Sequence, residues 1–543
     1  MFRQALAGVA ILFGVLPAGK AAGQYTRVSE DKVITLTSGV GDAVLHRPAA
    51  GAGGRAIDLV FEATPRAWHG QPAPGGGTLD CKAHSDPATI NAAGRMAFHS
   101  KISGSQRNQG IFVADETGLR AVVVGCGGGG GSGVPGSGCG DPAPVGGTFC
   151  GLFGGTSLAP GINDAGDVLF LADVDGGAAP RGLFLYRAAE DDIVTVAAVG
   201  EPAPIGGTIS AIGPGSMNNL REILFLARCA GSDHTHIFLW ADRVVSKYVA
   251  VGDPVPGGGV FKILAGEAGG FKDGTWIPTG ALPDIRDDGL IAFFGIVTGG
   301  LAERGVFLSR DGVHEWHLRR GEPTPLGGTY DHFWAPILND SGQMAVYAEL
   351  TLPGGDPLAA WIVGRPGQWR KALAFYDQID GGEVFIQPVS RNPFTPLDEC
   401  GNLMVSCAIR LPGGAERELS LMLSADGGVD VLARQGDPTP LGGSYGTIQS
   451  WPSMNNDGMC TLSAGTPGAT VQNAHSVATV GNLPGDADDD GDLDLDDHAE
   501  LHAVLAGPTA CPPSFAARVF DFDGDADVDL ADAGAFQEAF TGR

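Results

Sequence analysis

Two stretches near the C-terminal end of the 543-residue chain carry aspartates at alternating positions. The first, DADDDGDLDLDD, starts at Asp486 and sets Asp488, Asp490, Asp492, Asp494 and Asp497 at positions 3, 5, 7, 9 and 12. The second, DFDGDADVDLAD, starts at Asp521 and sets Asp523, Asp525, Asp527, Asp529 and Asp532 at the same positions. Oxygen ligands in this register, with a sharp turn at position 6, wrap a hard cation of the size of Ca2+. Position 7 ordinarily supplies its backbone carbonyl, so the side chain of Asp492 is the weakest contact. Gly491 provides the turn in the first loop, whereas Ala526 stands there in the second and weakens it. Aspartate at position 12 reaches less far than glutamate, which places the affinity in the range of about 10⁻⁴ to 10⁻³ M.

An acidic run is ordinarily a solvated tail. Against that reading, apolar Leu493 and Val528 both fall at position 8, and each loop runs into a short helical pattern. The patterns are Ala499, Leu501, Val504 and Leu505 after the first loop, and Ala533, Phe536, Ala539 and Phe540 after the second.

Elsewhere, reactive side chains must be weighed against an internal repeat. A catalytic residue is needed once and should break a repeat, whereas a structural residue should follow it. Asp141, Glu201, Asp253, Glu322 and Asp437 recur in one slot after Gly and read as loop-fixing groups. The residues that break the pattern are His234 with His236, a metal pair if they share a strand face, and His314, Glu315 and His317 beside Trp316, Arg319 and Arg320. These last could line a sugar-binding cleft or a blade edge. No GxSxG, HExxH or phosphate loop occurs. Nine cysteines leave an odd thiol; Cys126 with Cys139, bracketing a glycine-rich insert, and Cys400 with Cys407 are the candidate pairs.

The elements that would position these groups come from three recurring motifs. GxPxPxGG begins at Gly70, Gly140, Gly200, Gly252, Gly321 and Gly436, and a worn copy, YDQIDGGEVF, begins at Tyr376. A turn motif such as INDAGDVLFLA begins at Ile90, Ile162, Met217, Ile285, Leu338, Leu397 and Met454. A GxF-type strand follows each turn. Prolines two residues apart cannot donate to a ladder and mark a rigid crossing loop, the paired glycines let backbone pass closely, and Asn or Asp before Gly suits a hairpin. Each repeat therefore reads as four short strands, and seven repeats of about 60 residues predict an all-β, seven-bladed β-propeller, with an open β-solenoid as the rival. The seventh repeat lacks its fourth strand, while AIDLVFEA at Ala56 precedes the first repeat; that strand is expected to complete the last blade. The repeats resemble a propeller-type domain of uncharacterised exported bacterial proteins, a likeness that implies no activity.

Arg3, the apolar stretch Ala5 to Leu16 and the small residues Ala18 to Gly23 read as a secretion signal, so the protein is expected to be secreted or on the cell surface. The expected domains are a signal peptide at 1–23, an N-terminal segment at 24–55 with an extra strand, the repeats at 56–480, a linker at 481–485 and the acidic module at 486–543. That module holds 16 acidic residues against two arginines, half of the net charge of −28, a field that repels nucleic acid and attracts divalent cations. No later apolar run is long enough to span a membrane.

Loop followed by helix, twice, without a full leading helix, resembles a type I dockerin more than a calmodulin-like EF-hand pair. The resemblance implies Ca2+ as cofactor and a surface or scaffold protein, a cohesin in that family, as partner. Recognition in that family often lies at positions 10 and 11, here Leu495 with Asp496 and Leu530 with Ala531 in place of the usual hydroxyl pairs. The sequence reading is thus a non-catalytic exported scaffold or binding protein with a calcium-dependent attachment module. Its alternative is a carbohydrate-active propeller enzyme acting on a glycan.

Overall fold

The computed structural model describes residues 24–29, 32–37, 61–81, 87–127, 139–152, 159–264, 270–272, 275–277, 282–385, 397–439, 442–448, 452–469, 473–480, 484–487, 493–505, 507, 511, 515–525 and 527–540. The expected export signal, the segment 38–60 and the calcium-loop residues Asp488, Asp490, Gly491, Asp492 and Ala526 lie outside them. Gln24–Ser29 and Lys32–Thr37 pair with each other as an antiparallel hairpin and belong to a unit of their own. The N-terminal segment therefore supplies two strands where one was expected.

Each repeat becomes one antiparallel sheet, with its strands in chain order from the first to the outermost. Blade 3 shows the plan: Ile209–Met217, Ile223–Cys229, Thr235–Ala241 and Val244–Val249. In blades 1, 2 and 4 the first strand is divided into two pieces that both pair with the second strand. The crossing loop ends in an isolated bridge from its first proline to the residue that opens the first strand, as in Pro142 with Thr148 and Pro323 with Thr329. Except at Gly207 of blade 3, where the nearest atom to a Cβ would be 3.5 Å away, the last glycine of the loop has no room for a side chain. Gly328 sits at φ +74°, and a Cβ there would lie 2.0 Å from the carbonyl oxygen of Thr351, at the end of the second strand. Gly328→Ala is expected to cost about 2 kcal/mol or more, against about 1 kcal/mol for Gly327→Ala, whose Cβ meets only Pro353 at 3.4 Å. Urea midpoints of the two variants check the difference.

Burial follows from the blades lying face to face. Seven apolar clusters each draw residues from two successive blades, and an eighth belongs to the C-terminal segment. At the junction of blades 1 and 2, Phe149 meets Phe184 edge-on at 5.0 Å. Between blades 5 and 6, Trp361 is 2 % exposed and packs on Tyr347. The ring is closed: Phe61–Trp68 pairs antiparallel with Asn473–Val480, Phe61 opposite Val480 and Trp68 opposite Ala474. The chain before the first repeat thus supplies the fourth strand of blade 7, but over Phe61–Trp68 rather than the expected AIDLVFEA, of which Ala56 to Val60 lie outside the described residues. Ala67 of that strand then packs with Leu79 and Phe98 of blade 1. These contacts exclude the solenoid, and the chain is an all-β, seven-bladed propeller.

The C-terminal segment carries two helices, α1 (Leu495–Val504) and α2 (Leu530–Ala539), with a 3-10 helix at Ala516–Phe520 between them. Leu501, Val504, Phe520, Val528 and Phe536 form its own small core.

Candidate metal centre and axial mouth

The two acidic loops are built alike wherever both are described. In the first, the carboxylate of Asp497 accepts from the amides of Ala487 (2.7 Å) and Asp494 (2.9 Å), and Asp494 caps α1 by accepting from Asp496 at 2.7 Å. In the second, Asp532 accepts from Phe522 and Asp529, both at 2.7 Å, and Asp529 caps α2 by accepting from Ala531 at 2.7 Å. Position 12 thus bridges positions 2 and 9 in both loops, and position 9 doubles as a helix cap. The same carboxylates therefore close the loop and start the helix.

In the second loop, one oxygen from each of Asp521, Asp523 and Asp525 falls within a 4.8 Å group, and so does one from each of Asp527, Asp529 and Asp532. Asp521 also accepts from the amides of Gly524 (2.9 Å) and Asp525 (3.1 Å), which folds the loop back on itself. The left-handed residue among those described is Gly524, at φ +74°, so the turn is made at position 4. Burial, together with the negative charges of Asp486 and Asp494, raises the carboxyl pKa of Asp497; desolvation and the charges of Asp525 and Asp532 raise that of Asp523. Every donor offered is a hard oxygen, which suits Ca2+ or Mg2+ and not a soft metal. At position 10, Leu495 and Leu530 are 73 % and 81 % exposed, the two most exposed large apolar residues among those described.

A second site sits on the propeller axis, where the seven turn motifs converge around a cavity of about 220 Å³. Its wall shows what the Asn of each turn does. Asn91 donates from Nδ2 to the carbonyl of Asn163 in blade 2 (2.9 Å), Asn218 to Arg286 (2.9 Å), Asn339 to Asp398 (2.7 Å), and Asn455 back to Asn91 (3.1 Å). Its Oδ1 meanwhile accepts the amide four residues on, as Asn163 does from Asp167 at 2.9 Å. These asparagines were expected to serve the hairpin by tolerating positive φ. Instead the positive φ belongs to the following glycine, such as Gly166, and the Asn side chains tie four of the seven blade junctions, while Asn163 donates to Asp167 of its own blade at 3.1 Å. Blade 3 lacks that glycine, and Arg221 takes its place at φ +66°.

Two blades break the Asn pattern. Arg286 reaches across to Asp340 of blade 5, with Nε 3.3 Å from the carboxylate. Asp398 in blade 6 pairs with Arg518 of the C-terminal segment at 3.0 Å. Two residues before Arg286, Asp284 accepts from the amides of Ile285 (3.0 Å) and Leu338 (2.8 Å), and burial pushes its carboxyl up to about 7. The motifs IRDDG and LDECG carried this departure in plain view, but only the ring gives it meaning.

The other sequence candidates do not converge. Glu201, Asp253 and Glu322 each accept the amide three residues earlier (2.9, 2.8 and 2.9 Å), and Asp377 of the worn motif does the same at 2.8 Å. Asp141 accepts instead from Val124 at 2.9 Å, and Asp437 pairs with Arg434 at 3.6 Å. These are loop-fixing groups, as their repetition implied. His234 lies exposed before its strand, while His236 is buried, accepts from Val251 at 3.3 Å and has its pKa lowered by burial, so the two form no metal pair. His314, Glu315 and His317 lie on the outermost strand of blade 4, Val313–Arg319, away from the axis. His314 contacts the Ser309 hydroxyl at 2.8 Å, His317 packs edge-on against Trp369 of blade 5, and the indole N–H of Trp316 donates to Pro256 at 2.9 Å. His314 and His317 pack on their own blade and on Tyr248 and Trp369 of its two neighbours, along an outer strand rather than at the axis. Cys126 and Cys139 are bonded as expected, but Cys400 pairs with Cys511, and Cys407 is a buried free thiol.

Residues 129–265, which include blades 2 and 3, match a family of unknown function, DUF7453. No curated protein matches the sequence. Among solved structures, the β-propeller domain of the Trilobed protease from Pyrococcus furiosus is similar at 8 % identity and a TM-score of 0.38, covering 72 % of this chain and 92 % of that one. A puromycin-hydrolyzing peptidase of Mycobacterium tuberculosis shares 11 % identity at a TM-score of 0.38, covering 78 % and 54 %. The polysaccharide lyase Uly1 shares 9 % at 0.31, covering 78 % and 99 %. Among the described residues no helix is long and apolar enough to cross a membrane.

Proposed function

We propose that the chain is a non-catalytic exported scaffold or binding protein, a propeller carrying a calcium-dependent attachment module at residues 486–543. The carrying observation is the repeated closure of the two loops by Asp497 and Asp532, with two carboxylate triads gathered in the second loop. Calcium would be held by Asp486, Asp488, Asp490, Asp494 and Asp497 in one loop, with the carbonyl of Asp492, and by Asp521, Asp523, Asp525, Asp529 and Asp532 in the other. Its role is structural: it neutralises carboxylates that otherwise repel and fixes the loops to the helices they cap. The exposed Leu495 and Leu530, at matching positions, are the apolar surface a protein partner would bury on attachment. The dockerin likeness and the export reading rest on the sequence.

Isothermal titration of the full chain with CaCl2 tests this. Binding is expected with dissociation constants of about 10⁻⁴ to 10⁻³ M. Asp523→Asn, at an exposed residue that caps no helix, is expected to weaken one site at least tenfold with an unchanged circular dichroism spectrum. An absence of binding heat up to about 10 mM calcium, roughly tenfold above that range, would overturn the reading.

A second reading, an enzyme acting on a glycan at the axial mouth, is favoured by Asp284 alone, an off-pattern acid next to the cavity-lining Ile285, pushed up to about 7 and hence suited to proton transfer. Turnover of any polysaccharide that is lost in Asp284→Asn would establish it and remove the non-catalytic reading.

A further inference from the structure

The segment joining the two acidic loops is fastened to blades 6 and 7 at several independent points. Cys511 is bonded to Cys400 in the turn of blade 6. Phe515 is fully buried in the cluster that Met404 and Met422 of blade 6 form with Leu462 of blade 7, and its amide donates to Ser424 Oγ at 3.2 Å. Arg518 pairs with Asp398 at 3.0 Å, their side chains 6 % and 0 % exposed. Asp398 holds the place that Asn fills in five other blades. A carboxylate cannot make the donation to the next blade that Asn91, Asn218, Asn339 and Asn455 make, so this break in the repeat serves as the receptor for Arg518. Its neighbours Leu397 and Glu399 line the axial cavity.

Both loops start from the 3-10 helix that carries Arg518. Asp521 follows directly on its last residue, Phe520, and the amide of Gly485, immediately before Asp486, donates to the carbonyl of Val519 at 2.8 Å. We propose that the C-terminal segment is a calcium-set clamp on the propeller: filling the loops fixes the 3-10 helix, and that helix holds Arg518 on Asp398 and Phe515 between blades 6 and 7, at one rim of the axial mouth. The proposal rests on the calcium reading above and gives the module a partner within its own chain. A ligand that binds only the folded form stabilises every part that unfolds together with its site.

All eight tryptophans lie at or before Trp451, so their fluorescence reports the propeller and not the acidic module. On going from EDTA to about 10 mM CaCl2, the thermal midpoint read by tryptophan is expected to rise by about 2–5 °C. In the double variant Asp398→Asn/Cys511→Ser, calorimetric calcium binding is expected to stay within about twofold while the tryptophan shift falls by half or more. Calcium heat with an unmoved tryptophan midpoint in the unaltered chain, or a full shift in the double variant, overturns the clamp and leaves the calcium reading standing; an absence of calcium heat overturns that reading instead. Hydrogen exchange on the unaltered chain gives a test that needs no variant. Slower exchange with calcium in peptides spanning 397–405 and 453–462 supports the clamp, and unchanged exchange there overturns it.

Discussion

Replacing Arg518 by alanine is expected to lower the unfolding free energy by about 3–5 kcal/mol at neutral pH, the cost of stranding a buried partner charge. The Asp398 carboxylate has no exposed side-chain surface. Its other bonds come from the Asn402 amide (2.8 Å), the Asn402 side chain (2.8 Å) and the Cys400 amide (3.0 Å), which solvate the charge without neutralising it. Burial raises the Asp398 pKa, and Arg518 is the largest influence pulling it back. Without the guanidinium the carboxyl would rather bind a proton, so the defect should shrink as the pH falls. Asp398→Asn strands the Arg518 guanidinium, 6 % exposed, in the same way and should cost a comparable amount, whereas the double variant Arg518→Ala/Asp398→Asn, which removes both charges, should cost much less than the sum of the two. Urea denaturation of the three variants at pH 7 decides: a double variant that loses the full sum of the two single losses would mean that Arg518 contributes by packing on Phe515 rather than by charge.

The second large effect is acid sensitivity. His99, His317 and His475 each have a pKa pushed down from 6.5 to about 4, with burial as the dominant cause. His475 contacts the Ser463 hydroxyl at 2.7 Å and packs on Phe98 across the junction that closes the ring. In the unfolded chain these imidazoles take up protons near pH 6.5, whereas in the folded chain they resist until about pH 4. The unfolded state therefore binds more protons in that window, and stability present above pH 6.5 is lost as the pH falls through it, by up to about 3 kcal/mol for each imidazole. Asp284 works in the opposite sense. Its folded pKa of about 7 lies above the unfolded value of 3.8, so it favours the folded state as the pH drops from 7 toward 4. The net thermal midpoint is nevertheless expected to fall steadily between pH 6.5 and 4, and His475→Asn should flatten part of that fall. A midpoint that stays level across the window would mean that these histidines are not held neutral.

Much of the architecture was legible because it is written seven times. The crossing loops, the order of the strands and the borrowed fourth strand of blade 7 follow from motifs whose repetition filters out local accident. The acidic slot illustrates the same logic, since Glu201, Asp253 and Glu322 do one task at one distance. What could not be read are contacts between residues that occur once. Cys400 had Cys407 seven positions away, yet it bonds Cys511 at a separation of 111, and nothing local to either cysteine encodes that choice. His314 and His317 looked functional because they are rare residues in a polar strand, but even the outermost strand of a blade packs its faces on the neighbouring blades. The Asn of the turn motif was assigned a backbone task, and its inter-blade bond was invisible until neighbouring repeats were set side by side. The same motif held the clue to the clamp, in the copy where Asn gives way to Asp398.

The borrowed strand sets the order in which the molecule can come into being. Phe61–Trp68 leaves the ribosome roughly four hundred residues ahead of its partner Asn473–Val480, and all of that chain must emerge before the pair can form. During that interval blade 1 lacks its neighbour, and the early strand offers an unpaired edge to any other nascent chain. Closing so long a loop costs only slightly more entropy than closing a short one, so the delay weighs on the rate and hazard of assembly far more than on the finished stability. The ring is therefore a late event, and whatever shields Phe61–Trp68 until then governs how much functional protein is made.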